Sequence, residues 1–368
     1  MILLFVLIAF FYGVLIASFI WGNLRMKSPR SHSALTTSVS VVIPFRNEEG
    51  VIEKLAKALL NQDFPKSLVE FVFVNDHSTD GGKEKLIACL MDSKLKYSIL
   101  ELTAETGKKA ALNRGILQAT GELIITTDAD CWMNPLWLSS MVAQFETNKA
   151  DFIVGPVVLE SNHSLKANLL QTEFAALIAS TSGAIGINKA FICNGANLAF
   201  KKALYIEIEP YQSNSNLASG DDVFFLHKAK AMNKKIVFAN HEEAIVKTEM
   251  ETNFNKFINQ RVRWAAKSKQ YKDSDTIAFG LIISFMNLCV LTSLLLTAFN
   301  KLAFSFLIGL LVFKFILDYL LLLSAKSWMS TKSTFKNALL LSFIYPIYAV
   351  GIALLSLGFK PQWKGRKI

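Results

Sequence analysis

Long uncharged apolar runs stand at both ends of this chain, and between them short apolar runs alternate with stretches of helical period. Residues 1–24, 276–300 and 337–359 carry no charged side chain, and 302–325 is interrupted only by Lys314 and Asp318. Each is close to the roughly 20 residues a helix needs to cross a hydrocarbon core. From Ser38 the order is SVSVVIP as strand, EEGVIEKLAKALLNQ as helix, VEFVFVND as strand and GGKEKLIACLM as helix. KYSILEL then reads as strand, GKKAALNRGILQA as helix and ELIITTDAD as a strand ending in acids. This alternation predicts an α/β fold around a largely parallel sheet with right-handed crossovers. Ligands of such sheets sit beyond the carboxyl ends of the strands. Those ends carry Arg46, Asn47 and Glu48, then Asn75 and Asp76, then Asp128 and Asp130, so three strands point polar groups toward one crevice.

Composition narrows the class. With 52% of 368 residues apolar and 18% charged, a disordered tail, a collagen-like fibre and a small disulfide scaffold are excluded. The 39 Lys and Arg exceed the 29 Asp and Glu, for a net charge of +10. From Arg25 to Asp275 the counts are 30 and 28, so that region nets +2 and the other +8 lies at or between the apolar runs. The basic balance belongs to membrane flanks, and no nucleic-acid partner is expected. Cys89, Cys131, Cys193 and Cys289 form no C-x-x-C pair, which suits packing residues in a reducing compartment.

Residues 1–24 lack a basic n-region and a small-x-small cleavage site, so they read as a retained N-terminal anchor. Arg25, Lys27 and Arg30 follow, and positive-inside bias puts the next region on the cytoplasmic side of an inner or plasma membrane. Residues 33–270 are expected to form one globular domain ending in an amphipathic interface helix. Residues 276–359 are expected to form a bundle of about three apolar segments, followed by a basic tail at 360–368. Four full crossings would leave Lys360, Lys364, Arg366 and Lys367 outside, against the same bias. Pro346 offers a re-entrant break, and the side of the tail stays open. Lys314 and Asp318 are four apart, so they can pair inside a bundle, as a structural pair or as a polar contact along a lipid or glycan path.

Asp128 and Asp130, two residues apart at a strand end, can share a hard divalent cation, Mg²⁺ or Mn²⁺; acid pairs in that position also serve as turn or N-cap residues. Asp76 can accept from a nucleobase imide or a ribose hydroxyl, whereas Asp80 fits an Asx-turn before the next helix. Lys108 and Lys109 can offset diphosphate charge or simply begin a solvated helix. Asp221 and Asp222 open a helical pattern in SGDDVFF, as N-cap residues or with Asp222 as a general base. A helix N-terminus weakens such a base, and the adjacent Asp221 counteracts that. Gln260, Arg263 and Trp264 share one face of a basic amphipathic helix, where they suit pyrophosphate and sugar contacts or an interfacial anchor.

In order, VVIPFRNEE, VNDHSTD, GKKAALNRG, TTDAD, CNGANLAF, SGDDVFF and QRVRW run from Val41 to Trp264. Between an N-terminal anchor and a C-terminal bundle, this series resembles the membrane-bound family 2 glycosyltransferases. That branch includes cellulose, chitin and hyaluronan synthases and ceramide glucosyltransferase. The resemblance implies a Rossmann-like GT-A domain flanked by transmembrane helices, transferring a sugar from a nucleotide-diphosphate donor with inversion. It implies Asp76 on the nucleoside, Asp128 and Asp130 on the donor and its metal, and Asp222 as base. Gln260, Arg263 and Trp264 would lie near the diphosphate and the acceptor end. Asn75 and Asp221 depart mildly from the usual Asp and Glu. The implied acceptor is lipid-linked or a growing polymer, and a bundle of about four spans would need self-assembly or a synthase complex to pass a polymer. The alternative is a catalytically silent nucleotide-sugar-binding subunit of a larger synthase.

Overall fold

Strands apolar on both faces need helices on both sides, and the chain supplies them in alternation. The structure, a computed structural model, describes residues 1–27, 35–160, 164–210, 221–251, 253–329, 335–358, 362–363 and 366–367. In chain order the elements are α1 (Ile2–Arg25), β1 (Val39–Phe45), α2 (Ile52–Leu60), β2 (Val69–Asn75), α3 (Gly82–Leu90), β3 (Lys96–Glu101), α4 (Lys108–Gln118) and β4 (Leu123–Thr126). Next come β5 (Cys131–Met133), α5 (Trp137–Asn148), β6 (Phe152–Val154), β7 (Val157–Leu159), α6 (Leu165–Gly186), β8 (Leu198–Lys201), α7 (Lys202–Ile208) and α8 (Asp221–Ala231). The last are β9 (Ile236–Phe238), β10 (Val246–Thr248), α9 (Phe254–Ser268), α10 (Ser274–Ala298), α11 (Phe304–Ser324) and α12 (Phe335–Gly358). Two compact units result: Met26–Glu160 with Ile192–Glu249, and Met1–Arg25 with Ser161–Phe191 and Met250–Ile368. The division departs from the expected 33–270 domain in that α6 and α9 fall in the unit of the apolar helices, on which they pack.

In the α/β unit a seven-stranded sheet has the order β3-β2-β1-β4-β8-β6-β9, and β5, β10 and β7 form a smaller sheet. β1 pairs in parallel with β2 and β4, so the order reverses beside β1 and the crevice opens at the carboxyl ends of β1 and β4. β8 runs antiparallel to both β4 and β6, the one departure from the parallel expectation in this sheet. β1 and β2 are buried along their whole length. α4 lies tight on them: a Cβ on Gly115 would come within 2.5 Å of a Val42 methyl. At the opposite end from the crevice, Glu70 is clamped. Its carboxylate accepts from Ser40 Oγ at 2.6 Å and Thr120 Oγ1 at 2.8 Å and pairs with Lys96 Nζ at 2.7 Å. Gly121 completes the clamp, donating its N–H to Ser40 Oγ at 2.7 Å where a Cβ would strike the Ser40 nitrogen.

Burial alone would raise the Glu70 pKa, but these donors outweigh it and hold it at about 2, against an ordinary 4.5. A carboxylate depressed on folding contributes stability above its unfolded pKa and loses it as pH falls toward the folded one. The difference corresponds to about 3 kcal/mol as an upper figure. Glu70→Gln is therefore expected to lower the thermal midpoint of the full chain in detergent at pH 7, with the deficit shrinking between pH 4.5 and about 2. A deficit independent of pH in that window would refute the assignment.

In the helical unit α1, α10, α11 and α12 are each long and apolar enough to cross a membrane. α12 continues through Pro346, contrary to a re-entrant break. A proline removes one backbone bond, whereas leaving the helix in an apolar medium would strand several more. Lys314 Nζ meets Asp318 Oδ2 at 2.5 Å, and Asp318 also accepts from the Tyr12 hydroxyl, which ties α11 to α1. α6 packs on α1 through glycines: a Cβ on Gly22 would overlap the Gly183 carbonyl, and one on Gly183 the Phe19 carbonyl. Asn23 seals the contact by donating to Ala179 O at 3.0 Å and Ser324 Oγ at 2.9 Å while accepting from Ser182 Oγ at 2.5 Å. Gly183→Ala is expected to cost on the order of 1–3 kcal/mol by forcing the two helices apart. Thermal unfolding of the purified chain checks this, and an unchanged midpoint would count against the close contact.

Candidate functional site

The loops leaving β1 and β2 are laced together before any ligand arrives. Asn47 and His77 hold left-handed backbone, at φ 51° and 56°. Thr79 N–H donates to Asn47 Oδ1 at 2.8 Å, and Asn47 N–H donates to Ser78 Oγ at 3.1 Å. Asp80 takes the Asx-turn part, accepting from Gly82 N–H at 3.2 Å and from Glu49 N–H at 2.9 Å. Asn75, the departure from Asp, donates to Glu101 Oε2 at 2.8 Å and accepts from Ser78 N–H at 3.0 Å. An amide can do both and a carboxylate only the second.

Asp76 is 2% exposed. Its Oδ2 accepts from Gly107 N–H at 3.0 Å and lies 3.7 Å from Arg46, while Oδ1 lies 3.1 Å from His77 Nδ1. Gly107 has φ +101°, a conformation that favours glycine, and it starts α4 so that Lys108 and Lys109 emerge beside the crevice. Lys108 forms an ion pair with Asp128. Burial pulls the Lys108 pKa down, yet Asp128, then Asp222 and Asp130, outweigh it and hold the ammonium above its ordinary range. Acids from the β4 turn and from α8 thus act on one cation. Desolvation and then the adjacent Asp128 charge push Asp130 up, against Lys108 and the Cys131 thiol that donates to it at 3.6 Å. Because Asp130 still reaches solvent, the charge is the firmer of the two causes.

Asp222 is oriented by two backbone donors, Gly195 N–H and its own Val223 N–H, each at 2.9 Å. It shares a hollow with Lys109 whose walls include Leu112, Ile116, Phe200 and Phe225. Asp221 begins α8, and its side chain lies outside the described residues. Gln260, Arg263 and Trp264 belong to the helical unit, half-buried on α9. There the Trp264 ring lies 4.7 Å from the Arg261 guanidinium and 6.3 Å from Phe174. Arg261, which the motif reading passed over, is buried and pairs with Glu173 of α6 at 2.7 Å. Also missed was Asn197, fully buried within CNGANLAF. It accepts from Trp137 Nε1 at 3.1 Å and donates to the Pro156 and Ala244 carbonyls, both at 2.8 Å. Its only signal was an amide amid small apolar neighbours.

Among the described residues no cluster of three or more His, Cys, Asp or Glu side chains could hold a metal. Two hard carboxylates remain, Asp128 and Asp130, with Asp130 held up by its neighbour's charge, and a divalent cation would relieve that repulsion. The donor set therefore fits Mg²⁺ or Mn²⁺ with coordination positions left for a ligand's oxygens.

Residues 40–208 match the family model for glycosyl transferase family 2. The chain carries a family 2 glycosyltransferase domain. The glycosyltransferase AglE of Haloferax volcanii is 28% identical over 205 residues, 55% of this chain and 64% of that protein. A beta-monoglucosyldiacylglycerol synthase of Nostoc sp. is 34% identical over 113 residues, 30% of this chain and 24% of the other. The chain thus spans from about a quarter to just under two thirds of these relatives' lengths. A mannosyltransferase from Pyrobaculum calidifontis, solved in complex with GDP-Man and Mn²⁺, aligns with a TM-score of 0.54 at 17% identity, over 95% of this chain and 98% of that one. The family 2 domain has the mixed α/β, Rossmann-like GT-A fold.

Lys108→Met leaves Asp128 without its ion-pair partner and removes the positive charge that acts on Asp130 and Asp222. It is expected to lower the thermal midpoint at pH 7.5 by about 2–4 °C, and millimolar Mn²⁺ should restore more stability to the variant than to the unmodified chain. Equal responses to Mn²⁺ would reject a common site for Lys108 and a metal.

Proposed function

We infer that this chain is an inverting, hexosyltransferase-type glycosyltransferase that moves a sugar from a nucleoside-diphosphate donor to a membrane-held acceptor, a lipid or a growing glycan. The observation that carries the reading is the Lys108–Asp128 ion pair next to Asp130, together with Asp222 in the apolar hollow it shares with Lys109, all in the unit that holds the family 2 domain. Four apolar helices in the same chain support an acceptor held at the membrane. The name of the Nostoc relative, a diacylglycerol glycolipid synthase, supports a lipid, and the GDP-Man of the Pyrobaculum enzyme supports a nucleotide-sugar donor. Arg25 and Lys27 behind α1 support a cytoplasmic catalytic domain at an inner or plasma membrane.

In the reaction the acceptor oxygen forms a bond to the anomeric carbon while Asp222 takes its proton. The bond from that carbon to the diphosphate oxygen breaks, and its electron pair leaves with the nucleoside diphosphate. Attack opposite the departing group inverts the anomeric centre. Asp222 suits the base role because two N–H groups aim it and its hollow is largely apolar. Lys108 and Lys109 offset the charge of the diphosphate, and Asp76 accepts from the nucleoside. Asp221 adjoins the base, and Gln260, Arg263 and Trp264 are donor-binding residues by motif. Asp130 and Asp128 would hold Mg²⁺ or Mn²⁺, which when bound supplies Lewis-acid stabilisation of the leaving diphosphate.

Asp222→Asn is expected to reduce transfer by about 10²-fold or more while nucleoside diphosphate affinity stays within about twofold. Membranes supplied with radiolabelled donor measure the first, and calorimetry on the purified chain the second. Undiminished turnover would defeat the base assignment.

A further inference from the structure

We propose that Thr126 is a positioning residue for the base, acting on Asp222 through the two peptide groups that flank Gly195. This rests on the reading of Asp222 as the base. Thr126 is the last residue of β4, 4% exposed, and its hydroxyl donates to the Gly195 carbonyl at 3.0 Å. The next peptide N–H, that of Ala196, donates to Asn194 Oδ1 at 3.0 Å, so the 195–196 peptide is held at both its oxygen and its nitrogen. The preceding peptide supplies the Gly195 N–H that Asp222 Oδ2 accepts at 2.9 Å. These two peptides are joined only by the Cα of a glycine, the residue with the least intrinsic restriction on rotation between them. A Cβ at Gly195 would sit in ordinary contact with Asp222, at 3.4 Å, so crowding does not hold the turn. Hydrogen bonds hold it, and Thr126 provides the one that comes from the strand leading into Asp128 and Asp130.

On its far side the turn is fixed by Asn197, whose N–H donates to Asn194 O at 3.1 Å and whose side chain is saturated by Trp137, Pro156 and Ala244. With Asn197 rigid, the remaining freedom lies at Gly195, and the Thr126 hydroxyl removes it. One strand thereby leads into the acids proposed to face the diphosphate and supplies the bond that aims the base.

The test uses the full chain in detergent. Thr126→Val keeps the shape and removes the hydroxyl, and Thr126→Ser restores it. The valine variant is expected to lose about 10- to 100-fold in kcat, with nucleoside diphosphate affinity within about twofold, and the serine variant to stay within about threefold of the unmodified chain. In an Asp222→Asn background the valine substitution should cost nothing further. Amide hydrogen exchange over residues 192–198 should rise in the valine variant and not in the serine variant. Unmodified kcat in Thr126→Val, equal loss in the serine variant, or unchanged exchange would each overturn the proposal. Should the valine variant fail to fold, Thr126→Ala carries the same expectations. A chain that transfers no sugar from any donor sinks the glycosyltransferase reading instead, and the exchange measurement still decides whether Thr126 pins the turn.

Discussion

Carboxylates gathered at one set of strand ends repel one another, and the ammonium of Lys108 offsets that repulsion through its ion pair with Asp128. It pairs with Asp128 and feels both Asp130 and Asp222, so removing it from the arrangement would leave like charges facing one another across a few residues. The cation is placed by α4, whose start is set by Gly107 and whose closeness to β1 and β2 is set by Gly115. Packing on the sheet therefore fixes the electrostatics of the crevice.

The opposite end of the sheet is built for stiffness. Glu70 gathers β1, β2, β3 and the turn before β4 into one hydrogen-bonded clamp there, whereas Asn197, just before β8 at the crevice end, ties α5 to the turn between β6 and β7 and to the Ala244 carbonyl. Both are buried polar side chains with their partners in place, the arrangement in which low dielectric strengthens a network. A rigid base lets a few loop residues at the other edge hold geometry, and Asn75, Asn47 and Asp80 use their side chains to keep those loops short and ordered.

Much of this was legible residue by residue. Period-2 and period-3.6 patterns marked β1 to β4 and α2 to α4, and the long apolar runs marked α1 and α10 to α12. The pairing of Lys314 with Asp318 followed from their spacing on a helix, and Asp80 followed from turn chemistry. The α6 helix escaped because its small residues, ASTSGAIG, carry a weak apolar signal; their meaning is close approach, which needs a partner backbone to be seen. β5, β7 and β10, three residues each, are too short for a period to register. Arg261 hid inside a motif read for its neighbours, since nothing local announces that Glu173, 88 residues away, will neutralise it.

Local order along the chain determined which segments become strands, which become apolar helices, and which chemical groups stand at the strand ends, because those follow from side-chain period and turn preference within a few residues. Tertiary structure alone decided that α6 and α9 join the apolar helices, that β8 turns antiparallel, and that Thr126, Gly195 and Asp222 share one chain of hydrogen bonds. Those outcomes depend on backbone groups meeting across tens of residues, and every peptide has the same donor and acceptor, so sequence carries no mark of which two will meet.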